Sequence, residues 1–246
     1  MKYPKVKIKQ IPLKLELEVL NYFVFNANNN FGKYVFMEHP NLKNAKSKKE
    51  VEKYIIDLSR KNQKVIESSI SVFRKKWQKV EKDFFNILPE IMGTEWPQGK
   101  IITAYVSINP ISPRFLDKWA FSINYKKQSN TSRVKEIFMH EIVHFLYFKK
   151  WKEVFPKSKR RTFDYPYVEW RLSEILAPII LNYSPARKLI GKSADSYDEH
   201  EKIKIGNNSI VKHFEDLYKK SIKQQKSFDE FLQTAYKEIL KYESKF

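Results

Sequence analysis

Apolar and polar residues alternate in two short segments near the start of the chain. Residues 6–8 and 13–19 place apolar side chains at every second position, which is typical of half-buried strands. Residues 101–108 and 119–125 are mainly apolar and also predict strands. A polar loop rich in asparagine is expected at 26–30. The pattern therefore predicts a few strands separated by other structure.

Helical spacing of apolar residues covers most of the remaining chain. The predicted helical segments are residues 47–88, 131–151, 167–182, 209–224 and 228–242, with a polar connection over 184–206. Asn62 marks a break within the first segment. Thr131 and Ser132 offer side-chain oxygens that can cap the second, and Ser227 with Glu230 forms a capping-box pattern at the last. Strands and helices in this order predict an α+β fold.

The helix predicted over residues 131–151 contains the sequence His140-Glu141-Ile142-Val143-His144, which has the form H-E-x-x-H. Residues i and i+4 share one face of a helix, so both imidazoles can reach the same metal ion. The glutamate beside the first histidine can then hold and deprotonate a water bound to that metal. The motif therefore indicates a candidate metal site, with His140 and His144 as ligands and Glu141 as a general base.

The same helix is apolar on nearly all sides, which predicts that it is buried. Two histidines and a glutamate are costly to bury unless a partner satisfies them, and a zinc ion does so directly. The alternative is an amphipathic helix in which His140 and His144 are ordinary core or surface residues. The sequence alone leaves both interpretations open.

With this motif the chain resembles the zincin metallopeptidases. The identity of the third metal ligand decides which branch of that family it resembles. The metzincin branch would need Gly and His where Tyr147 and Lys150 stand, which excludes it. In the gluzincin branch the third ligand is a glutamate on a later helix. Glu174 is the expected ligand, because it stands inside an apolar run where an unpaired carboxylate is costly. A buried ion pair with Arg171 is the alternative role for Glu174.

Glu169 is the rival ligand on the same predicted helix. It lies nearer the start of that helix, where the helix dipole favours a glutamate, and it can stay in water. Five helical positions separate Glu169 from Glu174, so their side chains point about 140° apart. Pro178 cannot donate a hydrogen bond to the carbonyl of Glu174, which predicts an irregular turn there. These features favour Glu174.

The resemblance implies a zincin-like architecture. A small twisted sheet with a backing helix and the active-site helix would form an N-terminal lobe over residues 1–150. A mainly helical lobe over 151–246 would carry the third ligand, and the two lobes would form one catalytic unit. An extended peptide could then add to the sheet as a further strand. The resemblance covers residues 47–183 in outline and leaves the first 46 and the last 60 residues unexplained.

The resemblance also implies a function, which is hydrolysis of peptide bonds in a peptide or protein substrate. His140, His144 and Glu174 would bind Zn²⁺, and the metal-bound water would attack the scissile carbonyl with Glu141 as base. Many zincins add a tyrosine or histidine that stabilises the oxyanion. Tyr197 and His200 have the right chemistry, but an exposed loop histidine is the expected role, so they are not included in the site.

Composition limits the remaining classes. The net charge is +19, and a dense basic run follows the motif helix: Lys149, Lys150, Lys152, Lys157, Lys159, Arg160 and Arg161. Lysine dominates, whereas arginine is favoured for planar recognition of phosphate and bases, so no specific nucleic-acid partner is expected. The chain has no cysteine, no apolar run near the ~18–20 residues of a membrane span and no apolar leader, which together favour the cytoplasm.

Two other classes of function remain beside the peptidase. The first is a non-catalytic binding or regulatory protein on a zincin scaffold that holds a metal without turnover. The second is a basic nucleic-acid-binding protein whose H-E-x-x-H sequence is accidental. Metal analysis distinguishes the nucleic-acid-binding protein from the other two classes. A peptide-cleavage assay with and without chelator distinguishes the non-catalytic metal-binding protein from the peptidase.

Overall fold

The computed structural model describes residues 3–26 and 31–246. The chain is α+β, with 66% of the described residues helical and a small mixed sheet. The loop predicted at 26–30 falls largely on residues 27–30, which lie outside the described residues. In chain order the elements are β1 (Lys5–Gln10), α1 (Leu13–Phe25), α2 (Gly32–Glu38), α3 (Lys48–Lys61), α4 (Gln63–Gln78), α5 (Glu81–Met92), β2 (Ile101–Ser107), β3 (Arg114–Phe115), β4 (Ala120–Asn124), α6 (Thr131–Val154), α7 (Val168–Asn182), α8 (Ala186–Ile190), α9 (Asp198–Lys202), β5 (Lys204–Ile205), β6 (Asn208–Ser209), α10 (Ile210–Lys223) and α11 (Phe228–Leu240).

The chain forms two compact units. The sheet unit contains residues 4–79 and 99–137, and the helical unit contains residues 80–98 and 138–246 together with Tyr3. The boundaries of these two units differ from the single boundary after residue 150 that the sequence suggests. That the chain forms one catalytic unit stays a prediction. Among the residues that the structure describes, no helix is both long and apolar enough to cross a bilayer.

The sheet unit is built on four strands in the order β1-β2-β4-β3. Strands β1, β2 and β4 are parallel, with Val6 opposite Ile102 and Ala104 opposite Phe121. Strand β3 runs antiparallel to β4. The strands predicted at 6–8, 101–108 and 119–125 are therefore confirmed. All five residues of β4 are buried, and β2 buries Ile102, Ala104 and Val106, as expected for parallel strands covered by other elements.

Helix α4 packs on β1 and β2. It buries Ile66, Phe73 and Trp77, which recur at helical spacing on one face. Asn62 separates α3 from α4, and its side-chain amide donates to the carbonyl of Leu58 at 2.8 Å. The predicted break is confirmed, although the helical stretch from residue 47 onward contains a third helix, α5.

The strand predicted over residues 13–19 is wrong, because these residues begin α1. Leucine, lysine and glutamate dominate this segment and all have high helix propensity. The helix buries Leu15, Val19, Leu20 and Phe23, and this helical spacing extends beyond the seven residues that alternate. Leu13 stays exposed at the helix start. The longer period of the apolar residues thus outweighed the short alternation.

The helical unit is organised around α7, which packs against both α10 and α11. The capping box of Ser227 and Glu230 is confirmed at the start of α11. The predicted connection over 184–206 contains the short helices α8 and α9 and the first strand of the β5–β6 hairpin. Asn182 fastens this connection to the end of α7, because its amide donates to the carbonyl of Ala194 and its oxygen accepts from the Ala194 amide.

Glu16 is a deeply buried acid of the sheet unit. Its carboxyl accepts hydrogen bonds from the hydroxyl of Ser107 at 2.6 Å and from the backbone amide of Ile108 at 3.4 Å. Burial raises the pKa of Glu16 from 4.5 to about 7, although the hydrogen bonds from Ser107, Ile108 and Asn109 lower it. The carboxyl therefore holds its proton in the folded protein at a pH where the unfolded chain has released it.

We predict that Glu16 makes the stability of the protein fall as the pH rises. Its folded pKa of about 7 lies above the ordinary value of 4.5, so its contribution is complete below pH 4.5 and is lost on the way to pH 7. The loss amounts to about 3 kcal/mol. Urea unfolding at pH 4.5 and pH 8 should show that Glu16→Gln lacks this loss, whereas Glu18→Gln, an exposed change on the same helix, keeps it. Equal pH dependence in wild type and Glu16→Gln would contradict the prediction.

Candidate metal centre

Helix α6 begins one residue after its cap. The side-chain oxygen of Asn130 accepts a hydrogen bond from the backbone amide of Arg133 at 2.9 Å, which is the N-cap geometry. Asn130 thus takes the capping role that the sequence suggested for Thr131 or Ser132, and these two residues form the first turn. The helix then runs without interruption to Val154.

The part of α6 in the helical unit is buried as predicted. His140 and His144 lie one turn apart on this helix, with ring centroids separated by 4.8 Å. The side chain of His140 is 15% exposed and that of His144 is fully buried. Glu141, between them in sequence, is also buried. The surrounding residues of the helix that are buried are Phe138, Met139, Ile142, Val143, Phe145, Leu146 and Tyr147.

Glu174 brings the second helix to the two histidines. One oxygen of its carboxylate, Oε2, lies 3.0 Å from Nε2 of His140 and 3.5 Å from Nε2 of His144. The three residues can each offer one ligand atom, and these atoms all lie within 4.8 Å of one another. Every residue of α7 from Leu172 to Leu181 is buried, and the helix continues through Pro178. The carboxylate is therefore held among apolar side chains with two imidazoles facing it.

The donor set and its spacing fit a zinc ion. Two imidazole nitrogens and one carboxylate oxygen are a known set of protein ligands in catalytic zinc sites. Tetrahedral bonds of about 2.0–2.1 Å place two ligand atoms about 3.3 Å apart, and the nitrogen-to-oxygen distances here are 3.0 and 3.5 Å. His140, His144 and Glu174 can therefore hold such an ion with small adjustments of their side chains.

Glu169 lies away from this cluster. Its carboxylate accepts a hydrogen bond of 3.4 Å from the hydroxyl of Tyr236 on α11. The pKa of Tyr147 is raised, first by burial and then by the negative charge of Glu169. The structure thus brings Glu174, and not Glu169, to the two histidines. The expectation that Glu169 stays in water is wrong, because Glu169 is buried against tyrosines of α6 and α11.

Arg171 is engaged apart from the carboxylate of Glu174. Its Nε donates to the carbonyl of Pro166 at 3.2 Å. The guanidinium also lies over three aromatic rings, at 5.4 Å from Tyr165, 6.0 Å from Trp170 and 4.7 Å from Phe246. These contacts account for Arg171 and favour the imidazoles, not the guanidinium, as the groups that face Glu174.

Tyr197 and His200 lie next to the cluster of His140, His144 and Glu174. His200 is 3% exposed, so the expected exposed loop histidine is wrong. Burial lowers the pKa of His200 to about 4, although the negative charge of Glu174 raises it, so the ring is neutral at pH 7. The ring of Tyr197 lies edge-on at 6.4 Å from His140 and 5.6 Å from His200. Residue type and order were the only sequence signals for this pair.

The basic run after the motif is partly neutralised within the helical unit. Lys149 pairs with Glu153, Lys150 pairs with Asp229 at 2.5 Å, and Arg160 pairs with Asp164 at 2.7 Å. Ion pairs of this kind contribute little to stability at an exposed surface. They do reduce the number of unpaired cations in the run that could meet phosphate groups.

Comparisons with known proteins add no family to this geometry. No protein-family model matches the chain, and neither a curated protein nor a solved structure matches it. The cluster of His140, His144 and Glu174 and its surroundings are therefore the evidence on which a function can be argued.

Proposed function

We propose that this chain is a zinc-dependent peptidase of the zincin type, in its gluzincin branch, with His140, His144 and Glu174 as the metal ligands. The observation that carries the proposal is the convergence of three potential ligand atoms, from α6 and α7, within 4.8 Å. Glu174 is buried, and a cation shared with the two imidazoles would satisfy its carboxylate. The set of two histidines and one glutamate supports zinc as the metal.

The chain's own residues have separate roles in the proposed reaction. When bound, Zn²⁺ supplies a Lewis acid that acidifies a water molecule and polarises a carbonyl. Glu141 takes the proton of the attacking water on its carboxylate and passes it to the leaving amine. His200 is neutral, so one of its ring nitrogens carries a proton that it can donate. Tyr197 offers a hydroxyl on an exposed side chain, and either group can stabilise the developing oxyanion.

The two other classes lack a specific observation in their favour. A non-catalytic metal-binding protein would hold the same cluster without turnover, and a chelator-sensitive cleavage assay distinguishes it from the peptidase. A nucleic-acid-binding function would draw on the basic run, whose Lys149, Lys150 and Arg160 pair with acidic side chains. The proposed partner is a peptide or protein, and the proposed location is the cytoplasm.

We predict that the purified full chain carries about one zinc ion per molecule. His140→Ala and His144→Ala should each remove most of this zinc and lower the thermal stability, because each change deletes a ligand of a buried site. His213→Ala is the matched control, since His213 lies in the same unit but pairs with Glu238 at 3.1 Å. Elemental analysis of untagged protein is the measurement. Full zinc content in both ligand variants would exclude this metal site.

We predict that Glu141→Gln retains zinc but loses peptide hydrolysis by at least ~10²-fold in turnover. The amide preserves the shape of the side chain and removes the proton acceptor. Cleavage of a broad peptide library, with and without chelator, measures the loss, and elemental analysis confirms that the metal is still bound. Cleavage at a rate near that of the wild type would place the chemistry elsewhere.

We predict that Glu174→Gln weakens zinc binding strongly, whereas Glu169→Gln leaves it nearly unchanged. Glu174 faces the two histidines, and Glu169 faces Tyr236. The loss for Glu174→Gln should exceed the ~10–100-fold that is typical for loss of an outer-shell partner. Competition with a zinc chelator gives both affinities. The opposite order of the two variants would identify Glu169 as the ligand.

A further inference from the structure

A cavity of about 290 Å³ lies inside the sheet unit, at the carboxyl ends of the parallel strands β1 and β2. Five elements contribute to its wall, namely the ends of both strands and the helices α1, α3 and α4. Its volume is close to the lower end of the ~300–1,000 Å³ that is usual for small-molecule sites. The carboxyl ends of parallel strands are also where α/β sheets commonly bind ligands. The cavity therefore suits a small organic molecule.

The apolar part of the wall is aliphatic. It is formed by Ile11, Ile56, Ile66, Val106 and Ile108, together with Leu13. No aromatic side chain is among the residues that line this cavity in the described part of the sheet unit. Flat aromatic ligands usually stack on aromatic side chains, whereas branched hydrocarbon packs well against isoleucine and valine. The wall therefore favours a ligand with an aliphatic body.

The acidic group that lines the cavity is Glu16, which is 3% exposed. Its carboxyl accepts from Ser107 and from the backbone amides of Ile108 and Asn109, and two carboxylate oxygens have about four lone-pair sites, so capacity for a further donor is left. Burial raises the pKa of this carboxyl and its hydrogen bonds lower it, and no cationic side chain of the described residues is among the groups that shift it. An ammonium group in the cavity would provide the missing positive charge.

The mouth of the cavity contains a second charge. Arg60 is exposed and lies one turn after Ile56 on α3, so both side chains face the cavity from one side of that helix. Gln10 and Gln63 line the same cavity, and their side-chain amides bond to one another. Arg60 can therefore meet an anionic group on a ligand whose other end is buried near Glu16.

We propose that this cavity binds a small aliphatic ammonium ion, with the ammonium group at Glu16 and the hydrocarbon among the isoleucine and valine side chains. The ligand chemistry can come from a simple alkylamine or from a free aliphatic amino acid, whose carboxylate would meet Arg60. This site belongs to the sheet unit and does not depend on the proposed zinc site.

The test uses the full chain and three probes of similar shape: 3-methylbutylamine, L-leucine and 3-methylbutanol. Titrations at pH 8, followed by the methyl signals of Ile56 and Ile66 in NMR spectra, should show binding of the amine or of leucine and at least ~10-fold weaker binding of the alcohol. Tighter binding of leucine, lost in Arg60→Gln, identifies an amino-acid site. Tighter binding of the amine identifies a site for alkylamines.

Glu16→Gln should weaken binding of the preferred probe at least ~10-fold. Glu18→Gln, on the same helix but exposed, should leave that affinity unchanged. Ile56→Trp is a second variant that fills the cavity and keeps the carboxyl, and it should also abolish binding. Equal binding of the alcohol and the amine would overturn the proposal. Unaltered binding in both Glu16→Gln and Ile56→Trp, or no binding of any probe by the wild type, would do the same.

Discussion

A buried carboxylate and the two imidazoles that face it, one of them fully buried, form the constraint on which the helical unit depends. Charged and polar groups in such a position need partners, because a buried carboxylate without one costs several kcal/mol. Glu174 meets this need through its approach to His140 and His144 at 3.0 and 3.5 Å. The approach joins α6 to α7 at one point, and the packing of α10 and α11 on α7 then extends the core from there.

The two glutamates of α7 face different partners, although they lie on the same helix. Glu174 faces the histidines, and Glu169, five residues earlier, faces Tyr236. Both carboxylates are buried, so burial alone does not distinguish a ligand from a structural acid. The side chains that face each carboxylate do distinguish the two acids. A tyrosine hydroxyl donates a hydrogen bond, whereas a neutral imidazole nitrogen can also bind a cation. The different surroundings of these two acids therefore support separate roles.

The elements that could be predicted from the sequence are those whose signal is local. The H-E-x-x-H spacing, the break at Asn62 and the capping box of Ser227 need only neighbouring residues, and the structure shows the helices that they imply. The helix α1 was missed because a seven-residue alternation resembles a strand until the apolar spacing beyond residue 19 is included. The burial of Glu169 and His200 was missed for another reason. It depends on α11 and on the short helix α9, whose positions no local pattern specifies.

Two buried acids of this chain resolve the same electrostatic problem in different ways. Glu16 lies in the sheet unit with hydrogen-bond donors but no cation among the described residues, so burial dominates and the pKa of Glu16 rises to about 7. Proton uptake then neutralises the group at little structural cost. Glu174 faces two imidazoles, and beside it the pKa of His200 is lowered to about 4, so this neighbour is neutral at pH 7. An imidazole binds a metal ion through a nitrogen lone pair, and the two imidazoles of His140 and His144 both approach the carboxylate of Glu174. The arrangement around Glu174 thus favours capture of a cation, whereas the arrangement around Glu16 favours a proton or an ammonium group.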